Sequence, residues 1–173
     1  MFDLAQINVW GTIAAAFATF ALGAVWFSPV LFMKSWSESL AKNPKDMGSP
    51  VVAMGLTLVT TIVTAFALAL LFQAGDIDTT GRGLLAGAIV GLGIAATSSL
   101  SDALFVGQVK RWWVIQVGFR IVGFIVMGAI IGASAPESHL RAMERKMEKA
   151  GVALPVPGTD SSSHAKDSVA QKP

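Results

Sequence analysis

An all-α membrane protein, a bundle of four transmembrane helices joined by short hairpin connections, is predicted by three features of the sequence. The chain is 53 % hydrophobic and only 14 % charged, with a mean hydropathy of +0.61, a balance that does not describe a water-soluble globule. Four stretches, at about 4–27, 51–72, 83–106 and 112–132, are long and apolar enough to cross a hydrocarbon core of about 30 Å, which takes roughly 20 helical residues. All the tryptophans, Trp10, Trp26, Trp36, Trp112 and Trp113, fall near the ends of those stretches, where amphipathic rings prefer the headgroup layer.

The first stretch follows Met1-Phe2-Asp3-Leu4, which has no Lys or Arg. Without the basic n-region of a secretory signal it is expected to be a retained span. It runs into GAVWFSPVLFMKSW, residues 23–36, where Pro29 lacks the N–H an interior turn needs and biases Ser28 away from the helical region. The break is read as a membrane surface. Val30, Leu31, Phe32, Met33, Trp36 and Leu40 are then expected to form an interfacial amphipathic segment, with Lys34 reaching water; a longer, kinked first span is the alternative. Ser49-Pro50 offers an N-cap and a first-turn proline to the second span, and Gly75-Asp76-Ile77-Asp78 with Gly81-Arg82-Gly83 makes a polar turn into the third. The tight basic hairpin Gly107-Gln108-Val109-Lys110-Arg111 joins third to fourth, and such short connections make sequential helices antiparallel neighbours.

Residues 1–133 thus form the transmembrane domain. Beyond it, Ser134-Ala135-Pro136-Glu137 has capping-box spacing and predicts a basic amphipathic helix over 134–151, about four turns long and ended by Gly151. Leu140, Met143 and Met147 make a thin apolar stripe among Arg141, Arg145, Lys146 and Lys149, a pattern that suits either an anionic membrane surface or a solvated extension. The Pro-, Gly- and Ser-rich remainder, 152–173, reads as a disordered tail.

Charge and residue types exclude several functions. A net charge of +2 supplies no basic field for nucleic acid. With no cysteine there is no disulfide, thiolate nucleophile or iron–sulfur cluster. His139 and His164 lie far apart in the tail without carboxylate or cysteine companions, so no zinc site or nucleophile–base pair assembles. Gly91-Leu92-Gly93 lacks the third glycine of a dinucleotide fingerprint and sits in an apolar helix. The expectation is therefore no cofactor, no metal and no enzyme. Orientation stays open: Lys34, Lys42, Lys45, Lys110 and Arg111 on one side oppose Arg82, Arg141, Arg145, Lys146 and Lys149 on the other, five against five.

Inside the spans, Gly83, Gly87 and Gly91 recur every fourth residue, and Gly128 and Gly132 do the same in the fourth span, so both offer faces for close helix approach. Thr57, Thr60, Thr61 and Thr64 share a helix face, either as ordinary packing or as the polar lining of a permeation path. Arg120 lies about two turns into the fourth span, where a guanidinium is expensive unless paired or hydrated. Asp102 stands nine residues before Arg111 and Arg120 nine after it. A hairpin centred there predicts an Asp102–Arg120 bridge. With Gln116, Ser98 and Ser101 close by, this is the candidate intramembrane polar site, either fixing register or holding an ion or polar ligand.

Three passages carry a family resemblance: Ile7-Asn8-Val9-Trp10; the 23–36 stretch with Trp26, Ser28, Pro29, Phe32 and Trp36; and Leu104-Phe105 followed by Ile115-Gln116-Val117-Gly118-Phe119-Arg120 and Met127-Gly128-Ala129-Ile130-Ile131-Gly132. Over roughly residues 5–133 the chain resembles the bacterial membrane family called domain of unknown function 1761. That family typically shows Ile-Asn-Trp at the start, Gly-x-x-Trp-Tyr-Ser-Pro-x-x-Phe-Gly-x-x-Trp after the first span and Asn-x-Gly-Tyr-His in the last. Here Phe27 stands for Tyr, Met33 for Gly, Gln116 for Asn, Phe119 for Tyr and Arg120 for His, while Asp102 falls where Asn is common. The Arg120 change removes the titratable group a proton-handling role would use. The resemblance implies a four-helix protein of the bacterial inner membrane and no established activity.

Two functions follow. One is a structural or interaction role through close helix packing. The other is a subunit of a small oligomeric transporter or channel for an ion or polar solute. Four short spans enclose little interior, so transport would call for a homo-oligomer. The bilayer is the expected partner in either case.

Overall fold

The computed structural model describes residues 7–39, 49–105, 111–137 and 139–150. The chain divides into two units, Met1–Ser138 and His139–Pro173. In the first, α1 (Val9–Trp26) is followed by the short α2 (Met33–Ser39), then α3 (Pro50–Ala74). The third long helix is continuous over Thr80–Phe105, with α4 (Thr80–Val90) and α5 (Thr97–Phe105) flanking a π-helical turn at Gly91–Ala96. The last is α6 (Arg111–Ser134). Four helices are long and apolar enough to cross a membrane, and this is a multi-pass membrane protein.

The helix starts follow local chemistry. The Asn8 side chain caps α1 by accepting from Gly11 N–H at 3.0 Å, and Thr79 caps α4 by accepting from Arg82 N–H at 3.3 Å. Ser49 occupies the cap position of α3 with Pro50 behind it, but its side chain makes no cap hydrogen bond. Between α3 and α4 the chain turns at Asp76, whose φ of 51° is left-handed, and the buried Asp78 carboxylate lies 3.9 Å from the Arg82 guanidinium.

Helix α6 lies between α1 and α4, and α3 packs chiefly on α1. Contact with α4 runs glycine to glycine: a methyl at Gly83 would meet the Gly128 carbonyl, and one at Gly87 the Phe124 carbonyl. The glycine spacing is thus used inside the chain, letting two backbones touch. Below this contact Ala15, Ala16, Ala65, Leu68, Ala69, Phe72, Met127 and Ile131 form the buried core. All of it sits in the half of the bundle containing Asn8, the end of α3 and the end of α6.

The segment after α1 folds back onto the bundle, where α2 packs on α6. Ser28 C=O accepts from Leu31 and Met33 N–H at 3.1 and 3.2 Å, which reverses the chain compactly. Phe32 then stacks on Trp26 at 4.9 Å between ring centroids, and Trp36 meets Phe27 edge-on at 5.6 Å. Val30, Leu31, Met33 and Lys34 remain exposed. The capping-box expectation also fails: Ser134 is the last residue of α6, its hydroxyl donating to Ile131 C=O at 3.1 Å. In the second unit α7 spans His139–Lys149, three turns, with Lys146 and Lys149 in its last turn where cations complement the helix dipole. Met143 is exposed and Met147 half-buried. Leu4, Leu40, the 106–110 hairpin residues, Gly151 and the 152–173 tail lie outside the described residues.

Candidate functional site

A cleft of about 430 Å³ opens in the half of the bundle that contains Trp26. Helix α3 lines it with Thr57, Thr60, Thr61 and Thr64, α6 with Gln116 and Arg120, and α1 with Thr19. Phe119, Phe124 and Met127 make its apolar walls. It exists because α3 diverges from its neighbours: Val51 through Thr57 are exposed on every side, whereas Ala65, Leu68, Ala69 and Phe72 further along are buried.

The hydroxyls are already committed as donors. Thr57 donates to Ala53 C=O at 2.8 Å, Thr61 to Thr57 C=O at 2.7 Å, Thr64 to Thr60 C=O at 2.8 Å and Thr19 to Ala15 C=O at 2.9 Å. Each spends its proton on its own helix and presents oxygen lone pairs to the cleft. Arg120 supplies the opposite chemistry, five N–H donors and a fixed positive charge. It stands about 13 Å along α6 from Arg111 by helical rise and makes no ion pair among the described residues. At this depth an unpaired cation costs about 3 kcal/mol on insertion scales, so the cleft suits water and an anion.

Asp102 is not that anion within the chain. The glycine contacts set the register: Gly91 packs against Ile121, and Trp113 Nε1 donates to Ser99 C=O at 3.1 Å. Continuing that register places Arg120 level with Leu92 and Asp102 near the level of Arg111, two to three turns apart. The Asp102–Arg120 bridge expected from a hairpin centred on Arg111 therefore does not form, and both side chains are exposed. Of the five candidate polar residues the structure brings together Gln116 and Arg120. Ser98 donates to Ile94 C=O at 2.7 Å on its own helix, and Ser101 is exposed. Thr19 was not singled out by sequence; its seven-residue spacing from Thr12 is the signal, since both are buried on the same face of α1.

The last motif passage lines the cleft with Gln116, Phe119, Arg120 and Met127, and the two earlier ones frame it. Asn8 Nδ2 donates to Ser134 C=O at 2.9 Å, tying the start of α1 to the end of α6. At the other end Trp26 Nε1 donates to Ile115 C=O at 3.2 Å, its ring packed over Gly118, while the Phe119 ring packs over Gly23. Phe119 also meets Phe27 edge-on at 5.3 Å. With Phe32 and Trp36, these rings fix the height of α6 against α1 and so the position of Arg120. Among the described residues, no group of three His, Cys, Asp or Glu side chains is placed to hold a metal ion.

The family described as "Protein of unknown function (DUF1761)" matches residues 10–132. The chain belongs to this family. Its match covers nearly all of α1 through nearly all of α6 and every residue lining the cleft. This DUF1761 chain is also similar to curated proteins named "C4-dicarboxylate transport protein" from Anaeromyxobacter sp. (strain K) and from Anaeromyxobacter dehalogenans strains 2CP-1 and 2CP-C. Each is 35 % identical over 140 residues, covering 75 % of this chain and 31 % of the relative. The chain thus spans about a third of the length of these curated relatives. No solved structure matches it.

Proposed function

We propose that the protein is a transport subunit of the bacterial inner membrane that binds a small carboxylate in the threonine cleft, and that it is not an enzyme. One observation carries this reading: Arg120 lines an intramembrane cleft with no acidic partner among the described residues. A carboxylate satisfies a guanidinium bidentately, and the threonine oxygens accept from water or from a hydroxyl on the solute. The relatives' name, which specifies four-carbon dicarboxylates, supports the same ligand class. The other reading, a structural or interaction role through close helix packing, draws support from the α4–α6 glycine contact. That contact is internal to the chain, however, and gives Arg120 no task.

The test is thermal unfolding of the nanodisc-embedded protein against succinate and its neutral analogue succinamide. Succinate is expected to raise the unfolding temperature and succinamide to leave it unchanged. Arg120→Ala should weaken the succinate response by at least roughly tenfold in concentration, as loss of a charged hydrogen bond implies, and Arg120→Lys should recover part of it. A wild-type protein that responds equally to both compounds, or to neither, overturns the reading.

A further inference from the structure

The cleft occupies only half the depth of the bundle. From the Trp26 face it passes Thr57 and Gln116 and ends near Thr64, close to the middle of α3, and Met127, about one turn past the middle of α6. Beyond that level Ala65, Leu68, Phe72 and Ile131 close the interior. One copy in one orientation therefore gives a solute access from one side only. On the open side Val51, Val52, Met54 and Leu56 are exposed on α3.

Read from the sequence alone, the segments on the two sides of the spans carry equal positive charge. Lys34 on α2 and Arg111 at the start of α6 share the Trp26 face, and the sequence linking first to second and third to fourth spans adds Lys42, Lys45 and Lys110 to that count. Arg82 opens α4 at the Asn8 face, and Arg141, Arg145, Lys146 and Lys149 follow α6 within the distance over which bases orient a span. Five bases against five give insertion no preferred direction.

We infer that two copies of the chain insert in opposite orientations and pair through their open clefts. A two-fold axis in the membrane plane turns one cleft toward each side and sets them end to end, which makes one polar path from two half-depth ones. Arg120 lies about 4 Å from the midpoint of α6 by helical rise, so Arg120 and Arg120 of the partner subunit flank the bilayer centre. The site is incomplete without the second copy, which supplies the other half of the path and covers the exposed α3 face. A self-complementary contact of this kind closes as a dimer. The inference extends the carboxylate reading, since a dicarboxylate presents one charge to each arginine, but its test is independent of any ligand.

The chain has no cysteine, so single cysteines report orientation cleanly. Glu38→Cys at the Trp26 face and Thr80→Cys at the Asn8 face both replace exposed residues. In intact spheroplasts an impermeant maleimide is expected to label about half of each, and all of each after permeabilisation, as an unbiased insertion requires. Full labelling of one position with protection of the other would mean a single orientation and overturns the inference. Charge-biased variants make a second test. Lys34→Gln with Arg111→Gln, and Arg145→Gln with Lys146→Gln, should each insert one way and run as monomers in nanodiscs, while their co-expression restores a dimer. A dimer formed by either variant alone overturns the inverted pairing. Half-labelling with no succinate response would leave the pairing standing and remove only the carboxylate reading.

Discussion

Near Asn8, α1, α3, α4 and α6 meet through glycine backbones and a buried core of Ala, Leu, Phe, Met and Ile side chains. Near Trp26 the same α3 has Val51 through Thr57 exposed, and α5 leaves all but Ala103 and the half-buried Ser99 exposed. What differs is the size of the contacting groups. Glycine and alanine faces admit backbone contact, and dispersion attraction accumulates over it. Threonine faces paired with Gln116 and Arg120 instead hold a polar gap, because a guanidinium at that depth keeps water or an anion beside it. Stability is thereby concentrated in one half, and polarity is tolerated in the other.

The largest expected effect tests the closed half. In Gly83→Leu the new side chain is directed at the Gly128 carbonyl and the Gly132 Cα. These are backbone atoms that no rotamer change can move aside, so α4 and α6 must separate, at a cost of about 3 kcal/mol or more. The same substitution at Gly55 meets nothing within 4 Å and should change stability by less than about 0.5 kcal/mol. Unfolding measured in bicelles checks the pair. Equal tolerance at both sites would break the contrast between the halves.

A smaller loss is expected for Asn8→Ala. It removes the α1 cap and the tie from Asn8 Nδ2 to Ser134 C=O, together worth about 1–2 kcal/mol. Asn8→Asp keeps the capping oxygen and loses the donor, so it should fall between alanine and wild type. Hydrogen exchange at the start of α1 and the end of α6 reads the two losses separately: alanine exposes both, aspartate chiefly the second. If only the start of α1 responds to alanine, Asn8 is a cap and not a clamp.

The sequence makes the four spans legible because bilayer thickness dictates their length, and the glycine periodicity is legible because helix approach requires it. Asn8, Trp26, Phe32 and Trp36 were recognisable as a pattern, but their work was not: Asn8 reaches a carbonyl 126 residues away, and nothing local in Ile7-Asn8-Val9 specifies that acceptor. The Asp102–Arg120 pairing failed for a related reason. It assumed a hairpin symmetric about Arg111, whereas the seating of Gly83, Gly87 and Gly91 on Gly128, Phe124 and Ile121 centres the pair of helices several residues earlier. Charge attraction was weaker than backbone complementarity in choosing the register. The cleft itself was half visible, since the threonine face and Arg120 were both apparent, but their convergence depends on how far α3 diverges, which no periodicity reports.

The smallest expected effect sharpens the comparison most. In the cleft Thr60 donates to Thr57 C=O at 2.9 Å and Thr64 to Thr60 C=O at 2.8 Å; these carbonyls lie within a helix that already uses them. Replacing both with valine keeps shape and removes the outward lone pairs together with two donors whose acceptor carbonyls keep their helical partners, so stability should stay within about 0.5 kcal/mol. Ligand choice should nevertheless change. Malate is succinate with one added hydroxyl, a donor that a threonine oxygen can accept, and one such hydrogen bond is worth about 1 kcal/mol, or roughly fivefold in affinity. Wild-type protein should therefore bind malate more tightly than succinate, and Thr60→Val with Thr64→Val should erase the preference without weakening succinate. A preference that survives the double substitution would place the hydroxyl elsewhere, with Gln116 as the remaining polar partner beside Arg120. Equal binding of malate and succinate by the wild type would leave the threonine face as packing, and the two halves of the bundle would then differ in tightness alone.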